Sequence, residues 1–86
     1  MNTVVEPDPV KKFEFVAKLR NMYGTIDGVE IIPQDFLASL EDIAKRNYIV
    51  LEHNPDDRVA RYRARAIKDY TDWLEKYQKS TNPTQP

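Results

Sequence analysis

One stretch constrains this chain more than any other: Pro55 to Gln78, PDDRVARYRARAIKDYTDWLEKYQ. With Val59 set at zero and a step of about 100° per residue, Val59, Tyr62, Ala66, Ile67, Tyr70, Trp73, Leu74 and Tyr77 fall within one arc of about 140°. Arg58, Arg61, Arg65, Lys68, Asp69, Asp72, Glu75 and Lys76 fall on the opposite side. The pattern is that of an amphipathic helix of roughly 23 residues and about 35 Å. Anything else in so short a chain has to pack on its apolar arc.

The chain has 86 residues, enough for one small domain. A chain of this size buries only about 60% of its unfolded surface, so a partner or a second copy adds useful burial. Without cysteine there is no disulfide framework and no thiolate chemistry. Thirteen basic and 14 acidic side chains give a net charge of −1. That balance disfavours a protein that coats nucleic acid but permits a local basic patch. The opening MNTVVEPDP lacks the basic flank and apolar run of a signal peptide. No stretch approaches the ~20 apolar residues of a membrane span. The expectation is a cytoplasmic protein with no membrane partner.

Residues 1–8 read as an extended arm, because each proline of Glu6-Pro7-Asp8-Pro9 pushes the residue before it to extended geometry. Asp8 then caps a first helix over Pro9–Tyr23, and Gly24 stops it. Phe13, Phe15, Val16, Leu19, Met22 and Tyr23 cover nearly half of that helix, which suggests two packing neighbours. Asp27-Gly28 is a turn signal. Val29 to Ile32 is either a linker docked on the core or a short strand. A second helix is expected from Pro33, with Phe36, Leu37, Leu40, Ile43, Ala44, Val50 and Leu51 on its apolar arc. Asn47 falls inside that arc, and Ile49 on its polar side. The favoured reading continues this helix to His53 with a buried asparagine. The hinge His53-Asn54-Pro55 is short enough to make the second and third helices antiparallel neighbours. Residues 79–86 are polar, proline-broken and expected to be a disordered tail. The fold class is therefore all-α: a three-helix bundle, a helical hairpin plus one helix, over residues 9–78. The alternative is α+β, with a small two-stranded sheet from residues 29–32 and 48–52.

Arg58, Arg61, Arg65 and Lys68 recur at helical spacing, and arginine forks match phosphate oxygens. The stripe is a candidate phosphate-binding site. Against it, Asp57–Arg61, Arg65–Asp69, Lys68–Asp72 and Asp72–Lys76 are four apart and can neutralise one another along a solvated face. Arg63 projects inside the apolar arc, either as a snorkelling stem or as part of an ion pair across an interface. Asn47 on a core seam has to find a hydrogen bond and can fix register. His53 with Glu52, Asp56 and Asp57 has no recognised metal spacing. Ser39 and Ser80 have no evident base, and the two glycines form no phosphate loop. The expectation is a non-enzyme with neither cofactor nor metal.

The aromatic end of the third helix is the strongest remaining signal. Helix 1, at about 22 Å, is too short to cover all of helix 3. Part of the arc holding Tyr62, Arg63, Tyr70, Trp73 and Tyr77 is thus expected to form an interface, through which the chain self-associates or binds a protein partner. It would then be an adaptor, an inhibitor or a small subunit of an assembly. The alternative is a nucleic-acid or phosphorylated-ligand binder using the arginine stripe. The helix pair joined through Asn54-Pro55 has neither the unbroken C-terminal helix of secretion-needle subunits nor the period of tetratricopeptide repeats. No family resemblance is drawn.

Overall fold

The computed structural model describes the backbone of residues 8–80 and the side chains of residues 8–77. The expected arm up to residue 7 and the expected tail from residue 81 lie outside the described residues. The described residues form three helices and one hairpin of two-residue strands: α1 (Pro9–Tyr23), β1 (Thr25–Ile26), β2 (Val29–Glu30), α2 (Leu40–His53) and α3 (Arg58–Ser80).

The boundaries follow from local chemistry. Asp8 is extended, and its carboxylate accepts from the Lys11 N–H at 2.9 Å, with Pro9 in the first helical position. Gly24 ends α1 at φ 58 and ψ −133, a region open almost only to glycine, and its N–H bonds the Arg20 carbonyl. Asp27 and Gly28 both take positive φ, as a two-residue type I′ hairpin requires, and Ile26 pairs with Val29. Asp57 caps α3: its carboxylate accepts from the Ala60 N–H at 2.9 Å. α3 itself continues two residues past the expected end at Gln78.

α3 is the element against which both other helices pack. Lys11 meets Tyr77, Phe15 meets Trp73 and Tyr23 meets Tyr62, so α1 runs antiparallel to α3. The turn between His53 and Arg58 makes α2 antiparallel to α3 as well. α1 and α2 therefore run in the same direction, and residues 24–39 have to carry the chain back between them. This crossover supplies the centre of the core. Ile31, Ile32 and Phe36 are fully buried against Val16, Leu19, Ala66 and Tyr70.

An irregular segment passing through a core needs partners for its carbonyls. Two arginines provide them, one from each flanking helix. Arg63 of α3 donates to the Ile31 and Glu30 carbonyls at 2.9 and 2.6 Å. Arg20 of α1 donates to the Ile32 and Pro33 carbonyls at 3.4 and 3.3 Å. Four consecutive carbonyls are thus held by two guanidinium forks. Burial pulls the Arg63 pKa below its ordinary value, and the charge of Asp57 opposes that pull. The group stays charged at neutral pH all the same. Arg63→Ala is expected to cost about 1.5–3 kcal/mol of stability in urea unfolding. Arg63→Lys should not recover it, because an ammonium cannot span two carbonyls in a fixed fork.

The fold is mostly helical, as the all-α reading has it, and carries a small antiparallel sheet. That sheet pairs residues 25–26 with 29–30, while 48–52 lie inside α2. The favoured reading of a helix to His53 with a buried asparagine matches. Asn47 is 6% exposed and donates to the Ala60 carbonyl at 2.8 Å, pinning α2 to α3. Two expectations are corrected. α2 begins at Leu40 rather than Pro33, because residues 34–39 form turns that seat Phe36 under the crossover. α1 does not bury its whole apolar arc, since Phe13 and Met22 remain 65% and 69% exposed.

Candidate functional site

The aromatic residues expected on one interface are distributed over several contacts. Tyr70 is in the core, 3% exposed, edge-on to Phe36 at 5.9 Å. Tyr62 is half-buried, with Tyr23 edge-on at 6.4 Å and the Arg65 guanidinium 5.7 Å above its ring. Arg63 faces inward on the crossover. Trp73 and Tyr77 are half-buried, and α1 reaches both of them. Phe15 stacks on Trp73 at 4.6 Å and 6°, and the Lys11 ammonium lies 5.3 Å from the Tyr77 ring centroid. α1 thus extends far enough to meet the C-terminal turns of α3, contrary to the length argument.

What α1 leaves open is a groove beside this stack. A cavity of about 440 Å³ runs between the two helices. Phe15, Leu19, Met22 and Trp73 supply its apolar lining, and Lys18 and Asp72 stand among its charged residues. A second hollow of about 290 Å³ shares Phe15, Lys18 and Trp73 and extends toward Tyr77. Sequence reasoning placed Trp73 and Tyr77 at such a site and gave Phe15 and Met22 to a wide apolar face of the first helix, expected to meet two packing neighbours. The signal was present in α1, whose apolar arc is wider than one neighbouring helix can cover.

The arginine stripe lies further along the same face of α3. Arg58, Arg61, Arg65, Asp69, Asp72 and Lys76 are spaced by three or four residues and follow one side of the helix. Leu51, Tyr62 and Ala64 join Arg58, Arg61 and Arg65 around a hollow of about 640 Å³. The expected neutralising pairs form only in part. Lys68 bonds Asp72 at 3.2 Å, and Arg58 reaches Asp27 at the hairpin tip at 3.5 Å, with both partners of each pair exposed. Among the described residues, no carboxylate lies within 4.0 Å of Arg61 or Arg65. Their sequence partners are engaged elsewhere: Asp57 caps α3, and Asp69 accepts the Tyr23 hydroxyl at 2.6 Å.

The Tyr23–Asp69 bond couples α1 to α3. Burial, the hydrogen bond to Asp69 and its negative charge push Tyr23 up to about 12, with Arg65 opposing. The folded value lies above the unfolded value of about 10. The contribution to stability is therefore complete below about pH 10 and is lost as the pH rises toward 12. In an absorbance titration at alkaline pH, Tyr23→Phe should remove a phenol that titrates at about 12 and flatten the alkaline fall in melting temperature.

His53 is exposed and its Nδ1 lies 2.9 Å from the Ile49 carbonyl, in the last turn of α2. Among the described residues, no three His, Cys, Asp or Glu side chains gather to hold a metal ion, and no helix is long and apolar enough to cross a membrane. No family model, curated protein sequence or solved structure matches the chain.

Proposed function

We propose that this protein is a non-enzymatic interaction domain that receives an amphipathic helix of a protein partner in the α1/α3 groove. The observation that carries the reading is the apolar lining beside the Phe15–Trp73 stack, with Met22 69% exposed at its edge. A cleft between two antiparallel helices offers ridges and grooves to a third helix. Apolar side chains at i and i+7 of such a helix would meet Met22 and the Phe15–Trp73 stack, seven residues or about 10 Å apart along α1, with i+3 or i+4 over the groove between them. Lys18 and Asp72 supply polar contacts at the rim. The partner is either another protein or a helix of a second copy.

The test is selection from a display library of helical peptides, with Trp73 as the reporter because it is the only tryptophan. Enriched peptides should carry the i, i+3/i+4, i+7 apolar pattern, shift Trp73 emission on binding, and lose affinity for Met22→Asp. That variant changes an exposed side chain and should leave the melting temperature within about 2 °C. Sedimentation of the wild type over a wide concentration range distinguishes self-association from binding a different protein. If enriched peptides bind Met22→Asp as tightly as wild type, the groove is not the site.

A further inference from the structure

We infer that Arg61 and Arg65 form an anion-binding extension of the groove, and that the partner helix carries two carboxylates one turn apart at the end that meets them. The inference rests on the groove reading for the identity of the partner as a protein helix. The anion site itself rests on separate observations.

The first observation is that neither arginine is in an ion pair among the described residues. Along an exposed helix, acids four residues away usually satisfy such arginines. Here Asp57 is held by the Ala60 N–H and Asp69 by the Tyr23 hydroxyl. Both acids serve the fold, and among the described residues no carboxylate lies within ion-pair distance of the solvent-facing Arg61 and Arg65. The second is the setting. The Arg65 guanidinium lies 5.7 Å from the Tyr62 ring centroid, and Leu51 and Ala64 give the hollow an apolar side. A guanidinium that rests against an aromatic ring loses less freedom when its fork takes a carboxylate.

Geometry then specifies the partner. Arg61 and Arg65 are about 6 Å apart along the α3 axis, which matches acids at i and i+4 of a second helix. Trp73 lies eight residues beyond Arg65, about 12 Å along the same axis. Asp69 and Asp72 occupy the interval, so a third acid there would be repelled. The motif that fits is an acidic pair, then a neutral or basic turn, then an apolar anchor about two turns on. A nucleic-acid strand fits less well. Arg61 and Arg65 span a single turn, and the Tyr62 ring already meets Tyr23 and Arg65, so it is not open to stack a base.

Hexaglutamate and single-stranded hexathymidylate are suitable probes, each titrated into the isotope-labelled full chain and followed by NMR at the arginine Nε–H signals. Hexaglutamate should shift Arg61 and Arg65 in the wild type and bind Phe13→Ala, at an exposed position outside the groove, equally well. Arg61→Ala/Arg65→Ala should weaken it at least about fivefold, in a salt-dependent way. Tighter binding of hexathymidylate would overturn the acidic-helix assignment in favour of nucleic acid. Hexaglutamate shifts that fall elsewhere, or that survive the double substitution, would overturn the site. Because hexaglutamate has no apolar anchor, its result is independent of whether the Met22 groove binds a helix.

Discussion

Replacing Phe36 with alanine is expected to lower the unfolding free energy by about 3–5 kcal/mol. Phe36 is 0% exposed and stands at the meeting point of the crossover, α1 and α3. Its ring abuts Tyr70 edge-on, and Ile31 and Ile32 are buried in the same cluster. No helix or sheet ladder holds residues 31–39 in place. Side-chain burial, the two arginine clamps and the turn bonds donated by the Ile31, Phe36 and Ser39 N–H groups do so instead. Removing the ring leaves a cavity that the clamped backbone cannot easily collapse into, which places the cost at the upper end of the usual range. A domain of this size has only about 5–15 kcal/mol in total. Phe36→Ala should therefore be partly unfolded at moderate temperature. Phe13→Ala is the matching control: Phe13 is 65% exposed, and its loss should change stability by no more than about 0.5 kcal/mol. Urea unfolding of both variants measures the difference. Similar midpoints would mean that the crossover is not the centre of the core.

Phe36 also shows where the sequence was legible and where it was not. Its burial could be read from its spacing with Leu37 and Leu40. That spacing fits both a regular helix from Pro33 and the turns that residues 34–39 form, so periodicity could not separate them. Asn47 was legible because a lone amide inside an apolar arc requires a partner, and the Ala60 carbonyl is that partner. Arg63 was legible as an anomaly but not as a clamp, since its acceptors are backbone carbonyls 32 and 33 residues away. Counting pairs four apart treats every carboxylate as available to its helical neighbour. It cannot see that Asp69 is taken by Tyr23, 46 residues earlier in the chain. The candidate site was hidden for the same reason. Trp73 stood out by residue type, whereas the half of the groove built from Phe15 and Met22 depends on how far α1 covers α3.

Trp73→Ala is the substitution on which core and anchor roles diverge. The indole is half-buried and stacked on Phe15, with Tyr70 at 5.9 Å and Tyr77 at 6.0 Å. Its loss should destabilise the fold by about 2–4 kcal/mol, below the cost of a fully buried tryptophan because one edge faces the groove. The same loss should remove about 2–4 kcal/mol of affinity for a helix docked in the groove, as expected of a central aromatic anchor. Trp73→Phe separates the two roles. A phenyl ring can still stack on Phe15, so the melting temperature should largely recover. It presents less area to the groove and lacks the indole N–H, so affinity for the selected peptide should recover only in part. Melting curves and peptide titrations on the same two variants give the comparison, with fluorescently labelled peptide replacing Trp73 emission as the readout. Full recovery of both quantities in Trp73→Phe would make residue 73 a packing position whose contribution to binding acts only through the fold. Recovered stability with weakened binding would place the indole edge in direct contact with the partner helix.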